Sequence, residues 1–489
     1  MKKIIILALF VATTGFAQTF RWSEGTATVE NETDFKIDHY FYGRLFKVKT
    51  KYNQDTFNKD VIVDIVDPKD DFESEVVNAS LEQPVMGLNM KTLIDLFHLN
   101  EKNFVYFVTE FDRSTKMNQL FWNTSNIDTG NKSKYNLITS FPGKNGVNPG
   151  DYYVAQSPNK AFYVALKVPS YDKKVNQKIT FTLLDKTCKV VQEKEYEFTF
   201  SSKQSGNQQL FVSDEGVVFM IKEIDLPKVK PYKSLYVWNP ATDAVVEESL
   251  KLDNDLQIHQ IKGQFDANDF YIHGLYTDKN SRDFQFSVSF SGSDGVNSLG
   301  VLCAKFDAKA TRKYLTLNET GKINDLNIKN FVVSGDKTWA LMDHLFVMSK
   351  RRPLAQTNMK IINDYTYSND GIEVGLIDNA TGKLEWLHSI KISNPSSVND
   401  NGDLLSYMYT VNNDGVTLLY NQHKSIYESK IPVIQKYTKT GKLISNTPLS
   451  NVLPSKYSLD NSTFVKVENN KYIVRCKLGS SVKYGYLTL

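Results

Sequence analysis

The chain has 489 residues and a formal net charge of +3 at pH 7. So small a net charge excludes a general electrostatic attraction to nucleic acid or to membrane surfaces. Its three cysteines, Cys188, Cys303 and Cys476, are too few for a disulfide framework, and no two of them have metal-ligand spacing. We expect buried thiols at these positions, with one long-range disulfide as the alternative.

The first 17 residues have the features of a secretory signal peptide. Lys2 and Lys3 precede a short apolar stretch at residues 4–11, and a small-x-small triplet ends at Ala17. The apolar stretch is too short to span a bilayer, which needs about 20 residues. The sequence therefore predicts an exported Gram-negative protein, periplasmic or associated with the cell surface. Its mature domain would cover residues 18–489 with a formal charge of +1 (3 − 2).

A polar turn followed by an apolar run recurs along the rest of the chain. In VSDEGVVFMIKEID, residues 212–225, four turn-forming residues precede five consecutive apolar residues. The apolar runs begin at Phe104, Phe162, Val217, Phe270, Thr338, Val416 and Tyr472, and a weaker copy near Phe41 lacks the preceding turn. The runs are spaced roughly 60 residues apart, as in repeat architectures. Uninterrupted apolar runs predict strands that are covered on both faces.

Each unit contains a second strand–turn–strand pattern, as in ITFTLLDKTCKVVQEK from Ile179. Four antiparallel strands, A to D, in about 60 residues are typical of a propeller blade. We therefore predict an all-β protein, a single β-propeller of seven or eight four-stranded blades, with eight favoured. The last unit has only three strands. We expect residues 25–30, GTATVE, to supply the fourth and to close the ring by pairing the two ends of the chain, because a sheet protein must avoid open edges.

One segment resembles the repeat motif of quinoprotein-like (PQQ-type) propellers. In LIDNATGKLEW, residues 376–386, Asp378, Thr381, Gly382 and Trp386 match that motif, in which the Trp docks against the next blade. The quinone-dependent enzymes also have a disulfide between adjacent cysteines, and this chain has no such pair, so we expect no quinone cofactor. The repeats as a whole are similar to secreted Gram-negative β-propeller proteins of unassigned chemistry.

The sequence contains no signature of catalysis. It has no nucleophile elbow, no Walker loop and no pair of histidines at zinc-binding spacing. We therefore expect no cofactor, no metal site and no nucleic-acid partner. The leading interpretation is a non-catalytic binding or scaffolding module of the cell envelope, whose partner is an envelope glycan or a protein. The alternative is a propeller-fold polysaccharide hydrolase or lyase whose acidic residues converge from different blades.

The connections between strands supply the candidate binding face. The A–B and C–D turns are short and lie at one end of every blade, whereas the B–C and D–A connections vary and lie at the other end. The longest B–C connections are predicted at residues 277–296 and 349–371. Lysines attract anionic groups, and exposed tyrosines offer amphipathic platforms. The candidate binding residues are Lys350, Arg351, Arg352, Tyr365, Tyr367, Tyr171, Lys173, Lys174, Lys230 and Tyr232. An ordinary solvated loop surface of the same composition is the alternative.

Overall fold

In a computed structural model of the chain, the described residues form eight antiparallel sheets, seven of four strands and one of five. In each four-stranded sheet, strands that are adjacent in the chain are adjacent in space. The structure describes residues 19–23, 27–28, 37–41, 43–53, 58–66, 68, 75–81, 91–100, 102–126, 129, 131, 133–253, 256–267, 269–278, 297–353, 361–398, 404–422, 430–449, 452–454, 456–479 and 481–489. Eight sheets of this kind confirm the all-β propeller with eight blades.

The first four blades follow one another along the chain. Blade 1 comprises β3 (Ile37–Phe41), β4 (Arg44–Asn53), β5 (Asn58–Val66) and β6 (Glu75–Leu81). Blade 2 comprises β7 (Lys91–Asn100), β8 (Asn103–Asp112), β9 (Met117–Asn126) and β10 (Asn136–Pro142). Blade 3 comprises β11 (Asp151–Gln156), β12 (Phe162–Val168), β13 (Asn176–Asp185) and β14 (Val190–Ser201). Blade 4 comprises β15 (Ser205–Val212), β16 (Val218–Ile224), β17 (Tyr232–Asn239) and β18 (Ala244–Ser249).

The remaining blades complete the ring. Blade 5 comprises β19 (Gln257–Asp266), β20 (Asp269–Thr277), β21 (Ser298–Asp307) and β22 (Arg312–Ile323). Blade 6 comprises β23 (Asn327–Ser334), β24 (Lys337–Pro353), β25 (Ile361–Asp378) and β26 (Leu384–Val398). Blade 7 comprises β27 (Tyr407–Val411), β28 (Gly415–Gln422), β29 (Ile431–Thr438) and β30 (Leu443–Pro448). Blade 8 comprises β31 (Ser458–Glu468), β32 (Lys471–Leu478) and β33 (Ser481–Thr488), joined by β1 (Thr19–Trp22) and β2 (Ala27–Thr28).

The described helical structure is one 3₁₀ turn at Ser202–Gln204. No helix among the described residues is long and apolar enough to cross a membrane.

The two ends of the chain pair in blade 8. β1 runs antiparallel to β33, with Thr19 opposite Thr488 and Trp22 opposite Gly485. The prediction of closure is confirmed, but the segment expected to close the ring was only partly right. Within residues 25–30, the described pairing is limited to the two residues of β2, which lie opposite the start of β33. β1 supplies the longer pairing because its apolar Phe20 and Trp22 pack on the core shared by blades 7 and 8.

The apolar run that opens each unit is buried between two neighbouring blades. In β16, Phe219 and Ile221 pack against residues of blade 5, while Val218 and Met220 pack against residues of blade 3. All four side chains are at most 2% exposed. Both faces of the strand are therefore covered, which explains why the sequence shows an uninterrupted apolar run instead of alternation. Comparable clusters join the other blades from blade 2 to blade 8, and blade 8 to blade 1.

The first strands of neighbouring blades contact one another, as β11 does with β15 and β19 with β23. These strands therefore lie innermost in the ring. On the outer side, the D strand of one blade holds the C–D turn of the next. Trp386 Nε1 donates to the carbonyl oxygen of Lys439 at 2.9 Å, and Asn318 Nδ2 donates to that of Gly382 at 2.8 Å. The inter-blade contact predicted for Trp386 is confirmed.

The first unit corrects a detail of the sequence prediction. β3 ends at Phe41 and β4 begins at Arg44, so strand B opens three residues later than expected and a turn does precede it. Gly43 in this turn has a φ of 79°. A positive φ of this kind is accessible to glycine without steric cost, which allows the chain to reverse within two residues.

All three cysteines are free and buried. Burial raises the pKa of the Cys188 and Cys476 thiols to about 12, and it raises the pKa of Cys303 as well. Thiols with such pKa values form little thiolate at neutral pH and react slowly. The expectation of buried, inert thiols is confirmed.

Candidate functional site

Five of the ten predicted binding residues lie in, or directly beside, the connections to which the sequence assigned them. Tyr171, Lys173 and Lys174 lie in the B–C connection of blade 3, between β12 and β13. Lys230 lies in the B–C connection of blade 4, and Tyr232 is the first residue of β17. Because strands alternate in direction, the B–C and D–A connections of all blades share one face of the ring, here called the loop-rich face.

The other five predicted residues lie in strands, which corrects the prediction of a loop at residues 349–371. β24 continues to Pro353 and β25 begins at Ile361. The pairs across this hairpin are Lys350 with Asp364, Arg351 with Asn363, Arg352 with Ile362, Tyr365 with Ser349 and Tyr367 with Val347. The polar sequence suggested a loop, but pairing between the two arms satisfies backbone groups that a loop would leave to water. The other long connection predicted at residues 277–296 lies largely outside the described residues.

A cleft of about 480 Å³ opens where blade 4 meets blade 5. One wall is the B–C connection of blade 4 and contributes Lys228, Lys230 and Lys233. The other wall is the connection from β18 to β19 and contributes Lys251 and Asp253. Both connections belong to the loop-rich face, so the cleft lies on the side of the ring that the sequence assigned to binding.

Backbone hydrogen bonds and buried leucines fix the two walls. The amide of Leu250 donates to the carbonyl oxygen of Lys233 at 2.9 Å and joins one wall to the other. Leu250 is fully buried in the core shared by blades 4 and 5, which anchors the second wall. In the first wall, Lys228 has a φ of 64° in a turn closed by a hydrogen bond from Val229 to Leu226. The cleft is thus shaped by the fold itself.

The lining of the cleft is cationic. Its four lysines and one aspartate give a formal charge of +3 (4 − 1). Glu223 balances one of these charges, because its carboxylate lies 3.1 Å from Lys233 Nζ. Lys228 and Lys251 are exposed on opposite walls. An anionic group entering the cleft can therefore meet ammonium groups from both sides, and charge-assisted hydrogen bonds of this kind are the strong ones.

Burial and a nearby lysine of the cleft change the pKa of a neighbouring histidine, His259. His259 Nε2 lies 2.8 Å from Ser298 Oγ. Burial lowers the pKa of His259 to about 4, with a further contribution from the positive charge of Lys233. The imidazole is therefore neutral at pH 7. Ser298 is fully buried, so this Ser–His pair cannot present its hydroxyl to a substrate in the cleft, and we assign it a structural role.

Sequence reasoning found one wall of the cleft and missed the other. Lys230 and Tyr232 were predicted binding residues and line the cleft, whereas Lys251 and Asp253 were not predicted. The connection from β18 to β19 is short and has no lysine–tyrosine pattern, and only the packing of blade 4 on blade 5 brings it to the B–C connection. The other eight predicted residues do not line this cleft, because three of them lie in the B–C connection of blade 3 and five in the hairpin of blade 6.

Buried carboxylates of blades 6 and 8 each have partners within the protein. Ser406 Oγ donates to Asp343 Oδ2 at 2.9 Å, and Arg475 Nε donates to Asp460 Oδ2 at 3.0 Å. In the parts of the chain that the structure describes, no group of three or more His, Cys, Asp or Glu side chains is placed to hold a metal ion. We take the cationic cleft as the candidate site because charged side chains from two connections meet there.

Comparison with known proteins adds support for neither a family nor an activity. No family model and no curated protein matches the chain. Solved structures with similarity include the polysaccharide lyase Uly1, at 12% identity over 79% of this chain and 88% of that one, with a TM-score of 0.35. They also include the β-propeller domain of the Trilobed protease from Pyrococcus furiosus, at 10% identity over 88% and 100% of the two chains, with a TM-score of 0.36. An ulvan lyase matches at 8% identity over 80% and 90%, with a TM-score of 0.35. Likenesses this remote do not assign a function.

Proposed function

We propose that the protein is an exported binding propeller that captures an acidic polysaccharide of the cell envelope in the cleft between blades 4 and 5. The observation that supports this proposal is the cationic lining of the cleft, in which Lys228 and Lys251 are exposed on opposite walls. Lysine ammonium groups bind carboxylate and sulfate oxygens. Tyr232 and Leu256, which are only partly buried, offer apolar surface to the faces of sugar rings. Export remains a prediction from the first 17 residues.

The test compares binding of an acidic and a neutral polymer. The mature protein is titrated calorimetrically with sodium polygalacturonate and with dextran, in low and in moderate salt. Wild type should bind polygalacturonate, more weakly as salt rises, because screening weakens contacts between exposed charges. Lys228→Ser combined with Lys251→Ser should weaken binding about tenfold or more, since the loss of even one charge-assisted hydrogen bond costs about 1.5 kcal/mol. Lys309→Ser, an exposed lysine in a C–D turn on the opposite face, is the matched control.

Two outcomes would count against the cleft. Equal binding by wild type and the double cleft variant would show that the lysines do not hold the ligand. Loss of binding in a variant with Ser at Lys350, Arg351 and Arg352, without loss in the cleft variant, would move the site to the hairpin of blade 6. The same incubations, assayed for new reducing ends and unsaturated sugars, test the alternative hydrolase or lyase.

A further inference from the structure

We infer that the ligand is an extended acidic chain that spans blades 3 and 4, reaching from the cleft to the B–C connection of blade 3 around Tyr171. This inference rests on the proposed function and specifies its ligand class. A single anionic sugar would occupy the cleft alone. A chain with several consecutive charged sugars, whether their anionic groups are carboxylates or sulfates, would occupy both places at once.

The backbone around Tyr171 is fixed by a side chain from another connection. The amide of Tyr171 donates to Asn148 Oδ1 at 2.9 Å, and Asn148 Nδ2 donates to the carbonyl oxygen of Tyr171 at 3.1 Å. Ser170 Oγ donates to the carbonyl oxygen of Asn148 at 2.9 Å. Asn148 lies between β10 and β11, so the B–C connection of blade 3 is tied to the entry of that blade. These three bonds hold the connection in one conformation.

This fixed connection presents an aromatic ring together with cations. The Tyr171 side chain is 50% exposed and Val175 is 58% exposed, although both are large and apolar. Lys173 and Lys174 lie between them and are exposed. The amide of Lys174 donates to Asp172 Oδ1 at 2.8 Å, which orders the turn. A ring held on an ordered backbone loses little conformational freedom when a sugar ring packs on it, so the interaction is not weakened by ordering.

The two cationic places are neighbours on the same face. Blades 3 and 4 share one core, and β11 and β12 both contact β15. Their B–C connections, residues 169–175 and 225–231, are therefore equivalent loops of adjacent blades. When a chain is bound in the cleft, its next sugars are held at high effective concentration near the B–C connection of blade 3. This raises the affinity for the whole chain without any change in the contacts within the cleft. The arrangement thus favours long acidic chains over short ones.

The experiment measures how affinity depends on chain length. Wild type and variants are titrated with galacturonate oligomers of two and ten sugars, and with sulfated dextran oligomers of the same lengths, which carry sulfate and no carboxylate. Dissociation constants are expressed per oligomer chain. In at least one series, wild type should bind the ten-sugar oligomer about tenfold or more tightly than the two-sugar oligomer. Tyr171→Ala, and Lys173→Ser with Lys174→Ser, should reduce this preference to less than about threefold and leave two-sugar binding unchanged.

Asn148→Ala tests the positioning of the loop separately. Asn148 bonds to the backbone of Tyr171 and is not itself proposed to contact the ligand. The variant should therefore lower the preference for the long oligomer while two-sugar binding and the thermal unfolding midpoint change little. If Asn148→Ala disturbs folding, Tyr171→Ala still tests the inference, because it removes only an exposed side chain.

The outcomes separate this inference from the proposed function. Equal affinity for short and long oligomers, or an unchanged preference in Tyr171→Ala, would overturn the two-blade chain while the cleft still binds acidic sugars. Absence of binding to every acidic oligomer would overturn both.

Discussion

Lys222 provides a quantitative test of how blades 3 and 4 pack. Its side chain is only 1% exposed in the core between these blades. Lys222 Nζ donates to Gln208 Oε1 at 2.9 Å and lies 5.3 Å from the centre of the Phe198 ring. These partners are an amide and an aromatic ring, which compensate poorly for the lost hydration of an ammonium group. Burial accordingly lowers the pKa of Lys222 from 10.5 to about 8.

The effect on stability follows from the direction of this change. Between pH 8 and 10.5 the unfolded chain keeps the proton that the folded protein has released, so the free energy of unfolding rises with pH in that window. The pKa difference corresponds to a penalty of about 3 kcal/mol at pH 7, which disappears above pH 10.5. Lys222→Met keeps the length of the side chain and removes the charge. We expect the variant to be more stable than wild type by about 2 kcal/mol at pH 7, after about 1 kcal/mol is subtracted for the lost hydrogen bond.

The assay is urea unfolding of wild type and Lys222→Met, followed by tryptophan fluorescence from pH 7 to pH 10.5. The advantage of the variant should fall from about 2 kcal/mol at pH 7 to about −1 kcal/mol above pH 10.5, because relief of the penalty in wild type leaves only the lost hydrogen bond. Lys309→Met, at an exposed lysine, controls for the general effect of removing a positive charge. A difference between Lys222→Met and wild type that stays constant with pH would refute the reasoning.

Two further predictions concern ring closure and the buried ion pair of blade 8. Trp22→Ala should destabilise the protein by about 3 kcal/mol in thermal or urea unfolding, because Trp22 packs on the core of blades 7 and 8 and donates to the Val452 carbonyl oxygen at 2.6 Å. Arg21→Ala, at an exposed residue of the same strand, is the control. An equal loss of stability in Trp22→Ala and Arg21→Ala would contradict closure by β1. Arg475→Met should cost about 3–5 kcal/mol, since Asp460 is fully buried beside it. Adding Asp460→Asn should restore part of that loss, and a double variant no more stable than Arg475→Met would contradict the account.

The blades were predictable because each depends on short-range patterns. The turn before Val217 and the apolar run after it are contiguous in the chain. Because that run is buried between blades 3 and 5, its residues are all apolar and do not alternate with polar ones. Trp386 was predictable for the same reason, because its turn and its strand form one continuous motif. The prediction of a loop was wrong for residues 349–353 and 361–371, which lie in β24 and β25, because their polar residues resemble those of a solvated connection.

The sequence by itself determined the all-β repeat and limited the number of blades to seven or eight, since both depend on local alternation of turns and apolar strands. Tertiary structure alone decided which connections meet. Lys228 and Lys251 are 23 residues apart in the chain (251 − 228) and belong to walls that face each other only because blade 4 packs on blade 5. Likewise, Thr19–Trp22 and Ser481–Thr488 pair at the two ends of the chain because the ring brings them together. Contacts between distant segments depend on the packing of whole blades, and no local pattern in the chain records them.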